Sequence, residues 1–335
     1  MKKILNRPDD YVDEMLDGLV LAHPESLRRV GPDGRVLARA AGARKGKVGI
    51  VTGGGSGHLP VFLGYVGEGL LDACAVGNVF AGPRASDCQE AVRAADGGAG
   101  VLQLYGNYGG DRMNFDMAQE LLELEGLGVR SVRVSDDVAS APLAERAKRA
   151  KRRGVAGMVY AFKIAGARAA AGASLDEVAA TAAKAADACR SIGVALTPCV
   201  IPESGKASFE IAEDEVEFGM GIHGEPGIWR GKLKSADSLG AEMLERLQAE
   251  LKLARGDRVA VLVNSLGATP LEELYILYRH VATALAQQGV TPVMPLVGRY
   301  ATSMEMAGAS LTLMPLDSEL EALLKAPASC PFWSV

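Results

Sequence analysis

Aromatic residues are scarce in this chain: two Trp, eight Tyr and seven Phe among 335 residues, 5% in all. Set beside 40 glycines, that scarcity argues against a β-sandwich and points to an α/β chain. Cysteine is sparse too. The five residues Cys74, Cys88, Cys189, Cys199 and Cys330 are odd in number, widely spaced and form no C-x-x-C pair. A disulfide framework and a zinc site are disfavoured, and the thiols are expected reduced in a cytosolic protein. No apolar run approaches the roughly 18 residues of a membrane helix. The opening Met1–Asp10 carries Lys2 and Lys3 with no apolar core behind them, so a signal peptide is not expected. Charge of one sign is also lacking. A count of 36 Lys+Arg against 41 Asp+Glu leaves −5, which argues against a general nucleic-acid binder.

What is present is ordinary globular material, 48% hydrophobic and 23% charged, enough to bury a large core. At about 150 residues per domain the length suggests roughly two domains. Short β-rich segments alternate with helical stretches, as in parallel α/β sheets. Strands are predicted at Lys47–Thr52, Gly100–Leu104, Val129–Val134 and Val155–Phe162, then at Val194–Ile201, Arg258–Val263 and Val290–Leu296. A helix over Leu175–Ile192 opens with a Ser174/Glu177 capping box and stops at Gly193. Others are expected over Phe115–Glu125, capped by Asn114 and ended near Gly126, and near Leu239–Ala254. The Leu175–Ile192 helix reads as the divide between two α/β lobes, residues 1–190 and 191–335. The run Lys148-Arg149-Ala150-Lys151-Arg152-Arg153 reads as the solvated cationic end of a helix, with a contact for phosphate or an acidic partner as the alternative.

Histidine is the rarest chemistry-bearing side chain, with four copies: His23, His58, His223 and His280. His23 and His280 lie on helical patterns and read as structural. The other two sit among glycines. In Thr52-Gly53-Gly54-Gly55-Ser56-Gly57-His58-Leu59-Pro60, successive glycines after a strand let backbone N–H groups approach an oxygen-rich ligand. A plain strand-to-helix turn is the alternative. The spacing fits neither the dinucleotide fingerprint nor a P-loop, and no nicotinamide site is expected. In Gly219-Met220-Gly221-Ile222-His223-Gly224-Glu225-Pro226-Gly227 a neutral imidazole open on several sides is a competent nucleophile or base; a histidine merely bonded within a turn is the alternative. In Gly106-Asn107-Tyr108-Gly109-Gly110-Asp111-Arg112-Met113-Asn114, Asp111 falls near the C-terminal edge of a sheet, where a carboxylate can accept a hydroxyl proton. Capping of the next helix by Asp111 and Asn114 is the competing reading. Asp136 and Asp137 read as a strand-end turn.

Taken together, these segments resemble the ketone-binding K subunit of the dihydroxyacetone kinases over essentially the whole chain. The resemblance rests on Gly53–His58, Gly77-Asn78-Val79-Phe80, Asn107-Tyr108 with Gly110-Asp111 and Asn114-Phe115, and Lys163-Ile164-Ala165-Gly166. It continues through Gly219–Gly227, Asn264–Thr269 and Ser310–Leu313. It implies the two-lobed α/β K-domain fold with mixed or parallel sheets, as a homodimer holding a short-chain ketose. His223 would bond covalently to the ketose carbonyl as a hemiaminal, which rejects polyols that lack a carbonyl. Gly55, Ser56, Gly57 and His58 would hold the sugar, and His58 with Asp111 would orient the terminal hydroxyl and take its proton. No cofactor is expected on this chain: ATP or ADP with magnesium belongs to a separate L subunit, itself recharged, in some relatives, by a phosphotransferase relay. The segment Pro327–Val335 leaves no room for such a domain. No nucleic-acid or membrane partner is implied.

Two positions depart from the family pattern. Leu59 stands where Glu is usual, and Gly106 where a substrate-contacting Lys is usual. The second change is expected to remove a donor and open volume, favouring a four-carbon ketose such as erythrulose over dihydroxyacetone. The competing function is a ketone-sensing co-activator that keeps His223 but does not catalyse.

Overall fold

The computed structural model describes residues 2–141 and 151–335. Its strands make two six-stranded sheets and a short two-stranded one that pairs Ser329–Cys330 with Trp333–Ser334. The first contains β1 (Leu27–Val30), β2 (Val36–Arg39), β3 (Gly49–Ser56), β4 (Ala73–Val79), β5 (Val101–Gly106) and β6 (Val129–Val134), in the order β1-β2-β4-β3-β5-β6. β4, β3, β5 and β6 run parallel; β2 and β1 close one edge antiparallel. The second contains β7 (Arg190–Thr197), β8 (Glu215–Phe218), β9 (Trp229–Lys232), β10 (Arg258–Ser265), β11 (Thr291–Gly298) and β12 (Ala307–Leu316), in the order β11-β10-β12-β7-β8-β9. Only β10 and β11 are parallel there. The expected mixed and parallel sheets are what the fold contains.

The helices are α1 (Tyr11–Ala22), α2 (Ala85–Ala95), α3 (Gly109–Leu124), α4 (Gly157–Ala170), α5 (Leu175–Ala188), α6 (Ala236–Leu251), α7 (Leu271–Gln287) and α8 (Ser318–Lys325). α2 and α3 cover one face of the first sheet through Cys88, Ala91, Val92, Phe115 and Leu122. α6 and α7 cover the outer face of the second through Met243, Leu247, Leu274 and Val281. α4, α5 and α8 lie between the sheets. One core runs from Ile50, Leu102 and Leu104 through Tyr160, Phe162 and Ile164 to Leu262 and Met314.

α4 corrects the strand expected over Val155–Phe162. A short apolar run does not distinguish a buried strand from a buried helix. Here the run continues to Ala170 and is enclosed on every side, which suits a helix apolar all round. Its Lys163 is buried; the amine donates to the Leu323 carbonyl at 2.7 Å, and burial brings its pKa down to about 8. α5 starts where predicted, with both bonds of the Ser174/Glu177 capping box formed, but it ends at Ala188. Gly193 is no helix stop: β7 begins at Arg190 and pairs Arg190, Ser191 and Ile192 with β12. β7 then ends at Thr197, before Pro198, which has no N–H to donate. α3 begins at Gly109 rather than Phe115, and Asn114, inside it, donates to Pro83 O at 2.8 Å instead of capping.

The basic run is likewise corrected in part. Its first three residues lie outside the described residues, and Lys151 is exposed. Arg152 is 1% exposed, bonding both oxygens of Glu250 on α6 at 2.7 and 2.6 Å, while Arg190 Nε reaches the same carboxylate at 2.7 Å. Arg153 pairs with buried Asp137. The five thiols are free and four are buried. No helix among the described residues is long and apolar enough to cross a membrane.

Removing a shared partner from buried charges leaves them uncompensated. Glu250→Leu is therefore expected to destabilise the protein by about 3–5 kcal/mol in urea unfolding. A change below about 1 kcal/mol would show that solvent reaches Arg152 and Arg190 after the substitution.

Candidate functional site

The first site segment is strand for most of its length. β3 continues through Ser56, with Gly53, Gly54 and Gly55 paired to Ala75, Val76 and Gly77, so the glycines stand in a ladder rather than in the expected turn. They are glycines because neighbours crowd them. A Cβ at 53 would collide with the Phe115 ring and Ala75, one at 54 with the Phe62 ring, and one at 55 with the Phe80–Ala81 backbone. The turn itself comes at Gly57, whose φ of +99° suits a residue without Cβ. Ser56 Oγ donates to Gly77 O at 2.9 Å and is buried.

That turn delivers His58 into the space between the two sheets. Its Nδ1 lies 2.7 Å from the Thr302 carbonyl, and a carbonyl can only accept, so the ring proton is on Nδ1. Nε2 is buried with no partner among the described residues. Burial, and then the neighbouring His223, push this imidazole down to about 3, so it is neutral at any ordinary pH. The ring stacks on Phe80 at 5.0 Å and meets the His223 ring edge-on at 4.8 Å. Phe80 holds its place with φ at +57°, uncommon for an aromatic residue.

Thr302 is itself held from the second sheet. Asn264, at the end of β10, accepts from Tyr300 N at 2.8 Å and Ala301 N at 2.9 Å and donates to Ala301 O at 2.7 Å. Two further bonds, Thr302 N to His58 O and Met304 N to Gly57 O, zip this segment to the turn. The Asn264 motif thus acts through the segment that seats His58.

His223 occupies the loop between β8 and β9, bracketed by left-handed Gly219 and Gly224. Its side chain is 24% exposed. Glu225 grips it twice: Oε1 lies 3.0 Å from the ring Nδ1, and Oε2 accepts the His223 backbone N–H at 2.9 Å. Burial would raise the Glu225 carboxyl, but the bond and charge of His223 and the charge of Arg153 overcome it and hold the group at about 2. A carboxylate cannot donate, so Nδ1 carries a proton. The rings of Tyr108 and Phe80 stand edge-on to the imidazole at 4.9 and 5.4 Å.

Asp111 lies in the first turn of α3, 9% exposed, with Oδ1 unpartnered among the described residues. It forms no side-chain cap, since α3 is entered from Tyr108. Burial lifts it to about 6, with His223 pulling the other way. The structure thus places His223 within electrostatic reach of both His58 and Asp111. His23 ends α1 and His280 lies on α7, both apart from these groups.

Gly106 ends β5. The volume expected there is not free: a Cβ would stand 3.2 Å from Met158 Sδ and 3.2 Å from the Tyr108 ring. Those two side chains stand in the first part of the space that a larger residue would claim. Leu59 packs against the core between the sheets. Thr302, Phe80, Tyr108, Glu225 and Arg153 are site residues to which sequence reasoning gave no role. Phe80, Tyr108 and Glu225 lay inside quoted motifs and Arg153 inside the basic run, whereas Thr302 had no local signal.

A two-sheet α/β protein with a histidine pair in ring contact and a buried carboxylate in the first turn of α3 is the class this geometry defines. The Dak1 domain family matches residues 17–332, and the chain belongs to it. It is 46% identical to the dihydroxyacetone-binding subunit DhaK of PTS-dependent dihydroxyacetone kinase 1 from Listeria innocua, covering 99% of this chain and all of that one. It is 45% identical to L-erythrulose 1-kinase of Mycolicibacterium smegmatis, covering 99% of this chain and 58% of that one. Among solved structures, the dihydroxyacetone kinase operon co-activator Dha-DhaQ superposes with a TM-score of 0.88 at 35% identity, covering 96% of this chain and 97% of that one.

A carboxyl held above its unfolded value of about 3.8 binds protons in the folded state that the unfolded chain releases. Its ionised form therefore opposes folding above about pH 6, and the penalty fades as pH falls from 6 to 4. Asp111→Asn is expected to stabilise the protein at pH 7.5 by on the order of 2 kcal/mol and to lose that gain by about pH 4. Thermal unfolding across that range measures it, and a gain independent of pH would refute the assignment.

Proposed function

We propose that this chain is the substrate-holding subunit of a short-chain ketose kinase. The observation that carries the reading is a pair of buried acceptors without a partner among the described residues, His58 Nε2 and Asp111 Oδ1, both within electrostatic reach of His223. Buried polar atoms are normally bonded, and a polyhydroxy ketone offers a carbonyl carbon to His223 and hydroxyl protons to the two acceptors. The names of the L. innocua and M. smegmatis relatives support the same class, three- or four-carbon ketoses.

His223 Nε2 attacks the carbonyl carbon, the C=O π pair moves to oxygen, and that oxygen takes a proton as Nδ1 gives one up. The product is a neutral hemiaminal. A terminal hydroxyl is then held by His58 and Asp111, which orient its oxygen, and Asp111 takes its proton as the phosphoryl group arrives. Asp111, at about 6, is largely ionised at neutral pH, and His58 stays neutral throughout. Phosphoryl transfer needs a donor, and the sequence carries no P-loop; a separate L subunit bearing ATP or ADP with magnesium supplies it. The cytoplasm suits a chain of free, buried thiols.

A second reading, a ketone-sensing co-activator without turnover, draws on the likeness to Dha-DhaQ. Both readings keep His223. Intact-mass spectra with dihydroxyacetone and erythrulose are expected to show an adduct that His223→Ala loses; no adduct with either ketose would sink both readings. Added L subunits then separate them: phosphorylation marks the kinase, and adduct without turnover marks the sensor.

The occupied space beside Gly106 makes a substrate test sharp. A Lys at 106 must push aside Tyr108 and Met158, which narrows the wall behind His223. The wild-type protein is expected to use erythrulose at least as well as dihydroxyacetone by kcat/KM, and Gly106→Lys to shift the ratio toward dihydroxyacetone by about tenfold. An unchanged ratio would remove position 106 from substrate choice.

A further inference from the structure

We propose that Arg153, seated on Asp137, is a positioning residue that holds Glu225 against His223, so that the imidazole keeps its proton on Nδ1 and presents a bare Nε2. The inference rests on the reading of His223 as the capturing group, and it gives a role to two features of the sequence that the chemistry above leaves unused: the acidic pair after β6 and the basic run.

Arg153 joins three segments. Its Nε donates to Asp137 Oδ2 at 2.8 Å, its Nη2 reaches Gly219 O at 3.4 Å, and its Nη1 stands 3.8 Å from Glu225 Oε2. Asp137 is 3% exposed and is fixed in turn: its side chain accepts Ala139 N at 2.9 Å, and its backbone N–H donates to Arg153 O at 3.1 Å. The strut therefore starts beside the first sheet and ends on the loop carrying His223. Gly221 makes room for it, because a Cβ there would strike both the Glu225 carboxylate and the Arg153 guanidinium.

The chemistry depends on this arrangement. A neutral histidine can carry its proton on either nitrogen, and the partner of one nitrogen decides which. A carboxylate at Nδ1 selects the tautomer whose Nε2 lone pair can form the N–C bond. As that bond forms, the ring becomes cationic, and Glu225 receives the Nδ1–H more strongly. Left without Arg153, the carboxylate would keep only the His223 loop to lean on, and the loop and its acceptor would drift together. Besides Glu225 and Arg153, the groups facing His223 are His58, Asp111 and Tyr108. The first keeps its proton for Thr302.

The test reads the ring directly. Nitrogen-15 spectra of the ligand-free protein are expected to show His223 protonated on Nδ1 in the wild type, and a mixture of tautomers in Arg153→Met and in Glu225→Leu. With ketose and L subunit, KM is expected to rise about tenfold in Arg153→Met with kcat at saturation nearly unchanged, the order seen when a group that orients a reacting histidine is lost. If the buried Asp137 prevents Arg153→Met from folding, Asp137→Asn/Arg153→Met removes both charges and is read the same way. A wild-type nitrogen pattern in a folded Arg153 variant would overturn the inference and leave Arg153 a structural ion pair. The tautomer is measured without ketose, so a wild type that captures no ketose would refute the proposed function while the spectra still judge the strut.

Discussion

The hydrogen bond from His58 Nδ1 to the Thr302 carbonyl governs most of what this site can do. It joins the turn after β3 to a segment of the second sheet, so the two sheets cannot separate without releasing the ring. It also fixes which nitrogen is bare. Asn264 holds the carbonyl that accepts the bond, and Phe80, kept in an uncommon backbone conformation, forms the floor on which the ring lies. A ring presented from one sheet to a ring carried by the other is only as well placed as the contact between them.

Electrostatics divides the labour. His58, Asp111 and Glu225 are all substantially buried, yet they sit at about 3, 6 and 2. Glu225 is compensated by a ring N–H and a guanidinium and stays ionised. Asp111 has no such compensation and sits where a modest change in surroundings exchanges its proton. His58 cannot charge at all. Such separation of similar groups marks acid–base sites, and it is reached here by giving one carboxylate partners and withholding them from the other.

Much of this was legible along the chain, within limits set by what is local. β6 lies where its β-branched pattern puts it, and the Ser174/Glu177 box starts α5 at the predicted residue. His58, His223 and Asp111 stand out in sequence because glycines surround them. Their meeting does not, since it depends on two sheets docking, and Thr302 lies 244 residues from the ring it holds. The errors are physical as well. α4 reads as a strand because enclosure removes the polar stripe that marks a helix, and Arg152 reads as solvated because Glu250, its partner, is 98 residues away. Gly106 invites the idea of a vacancy, which neighbouring side chains had already filled.

The buried thiols set the selectivity of the protein toward electrophiles. Cys74, Cys88 and Cys189 are sealed in the core, where burial pushes each thiol well above its ordinary range and keeps it protonated. Soft nucleophiles that would otherwise compete for a reactive carbonyl are thereby silenced. Three of the five sulfurs are thus withheld from electrophiles by the same packing that builds the core, so that core stability and chemical inertness come from one cause.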